Sequence, residues 1–225
     1  MRKIALIVAG GKGERMGHEV PKQFLELANK PLLMLTIEKF RHTCNEILVV
    51  LPAAQINYWK KLCEIHHFSI PHVVIEGGEN RTRSVFNGLN TLTTPCLVAI
   101  HDGVRPLIEE SIIELAFADA EEKGNAVVSV KLKDSIREVT DGISKAQLRE
   151  NFVLIQTPQT FRSEIIIDAY KQLMNSGKDI TAFTDDASVA EHFGAFINLI
   201  EGSYRNIKIT TPEDLRIAEV LMRTS

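Results

Sequence analysis

No stretch of the 225 residues strings together the roughly eighteen apolar side chains that a helix needs to cross a bilayer, so no membrane span is expected. Cysteine is scarce. Cys44, Cys63 and Cys96 lie far apart without C-x-x-C spacing, which gives no support to a disulfide framework or a zinc site and suits a reducing cytoplasm. Excess charge is missing too: 26 Lys and Arg against 29 Asp and Glu leave a net charge of −3. Neither nucleic acid nor a membrane surface is therefore an expected partner, and any anion site must come from local placement of basic residues. Repeats, linkers and low-complexity segments are absent. With 44 % apolar and 24 % charged residues, one domain over 1–225 is the expectation.

What is present is alternation. Short apolar runs closed by turn signals recur at Ile4 to Ala9, Ile47 to Leu51, His72 to Ile75, Leu97 to Ile100 and Ala126 to Val130, and these read as strands. The first follows Met1-Arg2-Lys3 in the manner of a signal peptide, but Gly10-Gly11-Lys12-Gly13-Glu14-Arg15 stands where a cleavage site should be. Helical spacing fills the intervals, as at Leu32 to Phe40, Ser84 to Leu92 and Ile112 to Ala120. The pattern predicts an α/β fold with a mostly parallel sheet and helices on both faces. From Val128 to Ile136 apolar and polar residues alternate, Thr140-Asp141-Gly142 signals a turn and Phe152 to Ile155 resumes an extended pattern, so an antiparallel arm is expected at about 131–155. Asn206 to Thr210 reads as a strand, and Thr211-Pro212-Glu213-Asp214 as the start of the last helix.

In such folds ligands bind in the loops beyond the carboxyl ends of the strands. After the first strand, Gly10, Gly11 and Gly13 free the backbone to approach phosphate, while Lys12 and Arg15 add charge. The segment is neither a dinucleotide fingerprint, since Met16 replaces the third glycine, nor a P-loop, since Lys12 is followed by Gly13. A tight strand-to-helix turn would give the same glycines. Lys22 follows Pro21 in a restricted backbone, the alternative being a solvated surface lysine. In Gly77-Gly78-Glu79-Asn80-Arg81-Thr82-Arg83-Ser84 two arginines stand at a helix start, where the dipole favours anions; they serve either an anion or Glu79. Asp102 follows the fourth strand next to His101 and near Arg105, placed at the strand end either as an oxygen ligand for Mg²⁺ or as a partner of Arg105. Thr184 or Asp185 would cap the helix running to His192, and Lys208 leaves its segment opposite Ile207 and Ile209. Lys12, Arg15, Lys22, Arg81, Arg105 and Lys208 are expected on one rim, which implies a substrate with several negative charges.

These motifs, together with Pro21-Lys22-Gln23, His101-Asp102-x-x-Arg105-Pro106, Thr157-Pro158-Gln159, Thr184-Asp185-x-Ala187-Ser188 and Asn206-Ile207-Lys208, run in an order similar to that of the 2-C-methyl-D-erythritol 4-phosphate cytidylyltransferases from end to end. The resemblance implies a Rossmann-like nucleotidyltransferase fold, a homodimer, CTP and Mg²⁺ as ligands, and a place in the non-mevalonate route to isoprenoid precursors. By position, Ala9, Gly10, Gly11, Gly13, Gly78, Arg81, Ser84, Asp102 and Lys208 would hold the nucleotide, with Asp102 at the metal. Arg15 and Lys22 would stabilise charge at the α-phosphorus. Asp102, Arg105, Asp134, Ser135, Arg149, Thr184 and Lys208 would position the polyol phosphate, Arg149 acting from the arm in the partner's site. Gly103-Val104 replaces a pair of alanines common in relatives, and Ser135 a common threonine.

The implied reaction is in-line attack by an already ionised phosphate oxygen, which needs no general base and agrees with the lack of a Ser-His-Asp or paired-carboxylate arrangement. The alternatives are a ribitol-5-phosphate cytidylyltransferase and a non-catalytic nucleotide-binding module. A nicotinamide dehydrogenase is disfavoured, because the second strand ends at Leu51-Pro52 without an acidic residue.

Overall fold

The computed structural model describes residues 1–10, 20–92 and 95–223. Its centre is a seven-stranded sheet in the order β11-β7-β10-β6-β1-β4-β5. The strands are β1 (Lys3–Val8), β4 (Glu46–Leu51), β5 (Val73–Glu76), β6 (Leu97–Asp102), β7 (Asn125–Lys131), β10 (Val153–Arg162) and β11 (Leu199–Glu201). All pairings are parallel except those of β10, which runs antiparallel to both β6 and β7. The continuous apolar runs of β1, β4 and β6 follow from burial on both faces.

Side chains alternate between those faces. From β1, Ala5 and Ile7 join a core with α1 (Leu32–Phe40), α2 (Ala53–Ile65) and α4 (Glu110–Lys123). Ile4, Leu6 and Val8 join the opposite core with α3 (Arg81–Leu89), α5 (Ser163–Asn175) and α6 (Asp186–His192). The expected mostly parallel sheet covered on both sides is therefore what forms. Local chemistry sets the helix ends: α4 stops at Gly124, whose φ of +94° is left-handed, and α7 (Pro212–Arg223) starts with Thr210 and Thr211 N–H groups donating to Asp214 at 2.8 Å.

The chain leaves β1 for β4 and β5 on one side and then crosses to β6 on the other, so the sheet order reverses between β1 and β6. A crevice at the carboxyl ends of these two strands is where a ligand site is expected in an open α/β sheet.

The arm also forms. β8 (Ile136–Thr140) and β9 (Ile143–Gln147) pair with each other as a separate hairpin, turned by Asp141 and Gly142 at φ of +51° and +79°. Two successive left-handed residues give the turn whose twist matches the flanking strands. The arm is rooted by the Tyr204 hydroxyl, which donates to the Lys131 carbonyl at 2.8 Å. A short second hairpin joins β2 (Glu26–Leu27) to β3 (Lys30–Pro31).

Three expectations need revision. Asn206 to Thr210 is not a strand: its backbone bonds are local or to a loop, such as Ile209 N–H to the Val104 carbonyl at 3.0 Å, so its alternating pattern reflects one anchored side rather than a ladder. The helix expected over Ser84 to Leu92 begins at Arg81 and ends at Leu89, because Asn80 accepts the Arg83 N–H as its cap. The extended segment Phe152 to Ile155 is the start of the much longer β10, which passes from the arm into the central sheet.

Candidate active site

Asp102, the last residue of β6, lies opposite Val8 of β1 and is 7 % exposed. Its Oδ2 stands 3.0 Å from Lys208 Nζ and 3.4 Å from Arg105 Nε, and its Oδ1 stands 3.6 Å from Arg81 Nε. Burial alone would push this carboxyl's pKa up, but the three cations outweigh it and hold it far below the usual carboxylate range. Asp102 and Arg105 do pair, as one reading of the sequence had it, yet within a larger convergence of charge.

The backbone under Asp102 is fixed from β10. Thr157 Oγ1 accepts the Asp102 N–H at 3.1 Å and lies 3.1 Å from His101 Nδ1. The Arg105 carbonyl can only accept, so His101 Nε2 donates to it at 3.2 Å, and Nδ1 of the neutral ring accepts the Thr157 hydroxyl hydrogen. Burial lowers the His101 pKa to about 4, so the ring is neutral at pH 7 and takes part as a packed hydrogen-bonding residue.

Arg81 opens α3 and is matched to Asp186 rather than to Glu79: its Nη1 and Nη2 donate to Asp186 Oδ1 and Oδ2 at 2.9 and 2.7 Å. The loop before it is tied down by Ser84, whose hydroxyl accepts the Gly78 N–H at 3.0 Å and donates to the Asn80 carbonyl at 2.8 Å. Gly78 has no room for a side chain, since a Cβ there would lie 2.0 Å from Arg83 Cγ.

Lys22 lies in a single 3-10 turn, Lys22–Phe24, set by Pro21. The next residue, Gln23, is fully buried and donates to the Ala9 carbonyl at 2.8 Å, tying the turn to the end of β1. Phe24 stacks on Trp59 with ring centroids 6.0 Å apart. Lys208 is held between two anchors. Asn206 donates to the Thr157 carbonyl at 2.8 Å and accepts from Arg105 at 2.7 Å, and Ile209 bonds to Val104.

Together Ala9, Gly10, Lys22, Arg81, Asp102 and Lys208 line one cavity of about 140 Å³ at the predicted crevice. A larger depression of about 760 Å³ opens near Asn125, at the amino end of β7, the wrong end of the sheet for ligands of this fold class. A magnesium ion fits the donor chemistry at Asp102. Among the described residues Oδ1 meets Arg81 Nε at 3.6 Å, beyond hydrogen-bond distance, and keeps lone pairs for a hard cation. No cluster of three acidic, His or Cys residues occurs among the described residues, so such an ion would rely on substrate phosphates for further ligands.

Gly11, Gly13 and Arg15, with Lys12, lie outside the described residues. Arg149 is on the arm's stem, bonded to the Lys133 carbonyl at 2.7 Å, and Asp134 and Ser135 are exposed at the arm's base. Thr184 is exposed just before Asp185, whose side chain caps α6 by accepting the Ser188 N–H at 3.0 Å. Arg149, Asp134, Ser135 and Thr184 do not line the Asp102 cavity of their own chain. Asp186, Tyr170, Thr157 and Asn206 carry the site's support and received no role from the sequence. Asp186 resembled an ordinary first-turn acid, and only its complete burial distinguishes it.

The fold and this basic crevice are those of an α/β nucleotidyltransferase. A solved 2-C-methyl-D-erythritol 4-phosphate cytidylyltransferase from Thermus thermophilus superimposes with a TM-score of 0.83 at 30 % identity, covering 99 % of this chain and 100 % of that one. The 4-diphosphocytidyl-2C-methyl-D-erythritol synthase of Anaerococcus prevotii gives a TM-score of 0.84 at 26 % identity, covering 99 % and 96 %. In sequence, the 2-C-methyl-D-erythritol 4-phosphate cytidylyltransferase of Bacteroides thetaiotaomicron is 45 % identical over 99 % of this chain and all of its own length. That of Porphyromonas gingivalis is 46 % identical, covering 98 % of each. The family model described as IspD, 2-C-methyl-D-erythritol 4-phosphate cytidylyltransferase, matches residues 3–224, and the chain belongs to that family.

Proposed function

We propose that this chain transfers a cytidylyl group from CTP to 2-C-methyl-D-erythritol 4-phosphate, giving 4-diphosphocytidyl-2-C-methyl-D-erythritol and pyrophosphate for isoprenoid precursor synthesis. The observation that carries this reading is the convergence of Arg81, Arg105 and Lys208 on the buried Asp102 at the switch point of the sheet, in a chain of this family. Three cations around one carboxylate suit an incoming polyphosphate, which replaces the carboxylate as their partner.

A phosphate oxygen of the polyol substrate attacks the α-phosphorus in line, the new P–O bond forming as the bond to the pyrophosphate oxygen breaks. The attacking oxygen is already ionised, so no side chain has to accept a proton. Lys22 and Arg15 stabilise charge developing on the α-phosphoryl oxygens, and the segment after β1 with Ala9, Gly10, Gly11 and Gly13 holds the nucleotide together with Gly78, just before α3, and Ser84 within it. Lys208, Arg105, Asp134, Ser135 and Thr184 place the second substrate. Asp102 would hold Mg²⁺ jointly with the triphosphate, where the ion supplies neutralising charge.

The single domain works as a homodimer through its arm, whose exposed Val139, Ile143 and Leu148 suit a covered surface, and Arg149 serves the partner's site. A cytoplasmic setting fits the three free cysteines. The test is pyrophosphate release from CTP and Mg²⁺ with methylerythritol 4-phosphate and, separately, ribitol 5-phosphate. Release with the first supports the assignment; release with the second alone overturns the substrate.

A further inference from the structure

The geometry points to Asp186, backed by Tyr170, as the positioning residue that holds Arg81 ready for the nucleotide's phosphates. This rests on the function proposed above and assigns a role to a carboxylate that does not reach the cavity itself.

Asp186 is fully buried, yet no apolar packing explains a carboxylate there. Both of its oxygens face Arg81 end-on at 2.9 and 2.7 Å, and Oδ1 also accepts the Tyr170 hydroxyl at 2.6 Å. An end-on pair uses one hydrogen each on Nη1 and Nη2, which leaves the Nε and Nη2 edge of the guanidinium free of Asp186. That edge faces Asp102, whose Oδ1 is 3.6 Å from Nε, too long for a hydrogen bond. Arg81 thus has one edge saturated and the other turned to the cavity. Without Asp186 the side chain, 29 % exposed, would have to be ordered by the ligand.

The two carboxylates that bracket Arg81 hang from the same strand. On β10, Thr157 accepts the Asp102 N–H at 3.1 Å. Two residues on, Gln159 donates to Asp185 at 2.8 Å and accepts the Ala187 N–H at 2.7 Å, fixing the start of α6 on either side of Asp186. β10 therefore sets the spacing across which Arg81 is stretched. Burial raises the Tyr170 pKa well above its ordinary value and the adjacent Asp186 charge raises it further, so Tyr170 stays a neutral donor to the pair.

A double-mutant cycle tests this on the full chain. Asp186→Asn and Tyr170→Phe are each made in the natural and the Arg81→Lys background, and binding of CTP and of inorganic triphosphate is titrated, with thermal unfolding alongside. Asp186→Asn should weaken both ligands about tenfold and Tyr170→Phe about threefold when Arg81 is present, and neither should matter in the Arg81→Lys background. Equal weakening in both backgrounds would overturn the inference and leave Asp186 a structural residue. Should Asp186→Asn fail to fold, the milder Tyr170→Phe, which keeps the ring, decides the matter by the same comparison. A natural chain that binds triphosphate but releases no pyrophosphate would overturn the proposed function, while the triphosphate cycle still decides the role of Asp186. A natural chain that binds neither would overturn both.

Discussion

The Lys208 ammonium stands 3.0 Å from Oδ2 of Asp102, but the lysine side chain is 41 % exposed and the carboxylate only 10 %. The two should therefore respond differently to removal. Lys208→Met should lower pyrophosphate release on the order of a hundredfold, as for other deletions of an oxyanion-stabilising group, with little change in melting temperature. Asp102→Ala should abolish turnover and also destabilise the fold by about 3 kcal/mol, because the half-buried Arg105 would keep its Asn206 carbonyl but lose its only carboxylate among the described residues. Steady-state kinetics and chemical unfolding of both variants separate the two effects.

Acid should act through His101. Its folded pKa of about 4 lies below its ordinary 6.5, so the unfolded chain binds the proton more readily. The stability this contributes is full above about pH 6.5 and is lost as pH falls toward 4, about 3 kcal/mol in all. Urea midpoints across this range should fall with pH, and His101→Gln should flatten that slope.

Two glycines at the nucleotide loops should part company. Gly78→Ala forces a Cβ to within 2.0 Å of Arg83 Cγ, so the first turn of α3 must move, costing about 1–3 kcal/mol and weakening CTP. At Gly10 a Cβ would stand 3.8 Å from Ser84 Oγ, an ordinary contact. Gly10→Ala should keep the melting temperature, and any loss of CTP affinity would then report on the ligand. Calorimetric titration with thermal melts checks both.

The proposed dimer predicts complementation. Ile143→Lys with Leu148→Asp should shift sedimentation to the monomer. Arg149→Ala and Lys208→Met, each strongly impaired alone, should regain activity when mixed, since one site of the mixed dimer would have both residues intact. Failure to regain activity in a mixture shown to exchange subunits would put Arg149 in its own chain's site.

The sheet was legible because β1, β4 and β6 each carry an uninterrupted apolar run, and the cavity because Arg81 opens a helix, Asp102 ends a strand and Lys22 and Lys208 stand beside anchored neighbours. Burial was not legible. Asp185 and Asp186 are neighbours of one residue type, yet one caps a helix and the other disappears into the core with Arg81 and Tyr170, a difference set by two other helices, α3 and α5. Likewise Asn206 to Thr210 alternates like a strand but serves as a strap over Thr157 and Val104, because the neighbouring strand positions were already taken.

Trp59 is the only tryptophan in the chain, and it lies beneath the turn that carries Lys22, stacked on Phe24 and bonded through Nε1 to His72 at 3.0 Å. The protein therefore carries its own optical gauge: a shift of that turn moves an aromatic ring against the single indole, so emission can follow the Lys22 segment in real time without a label.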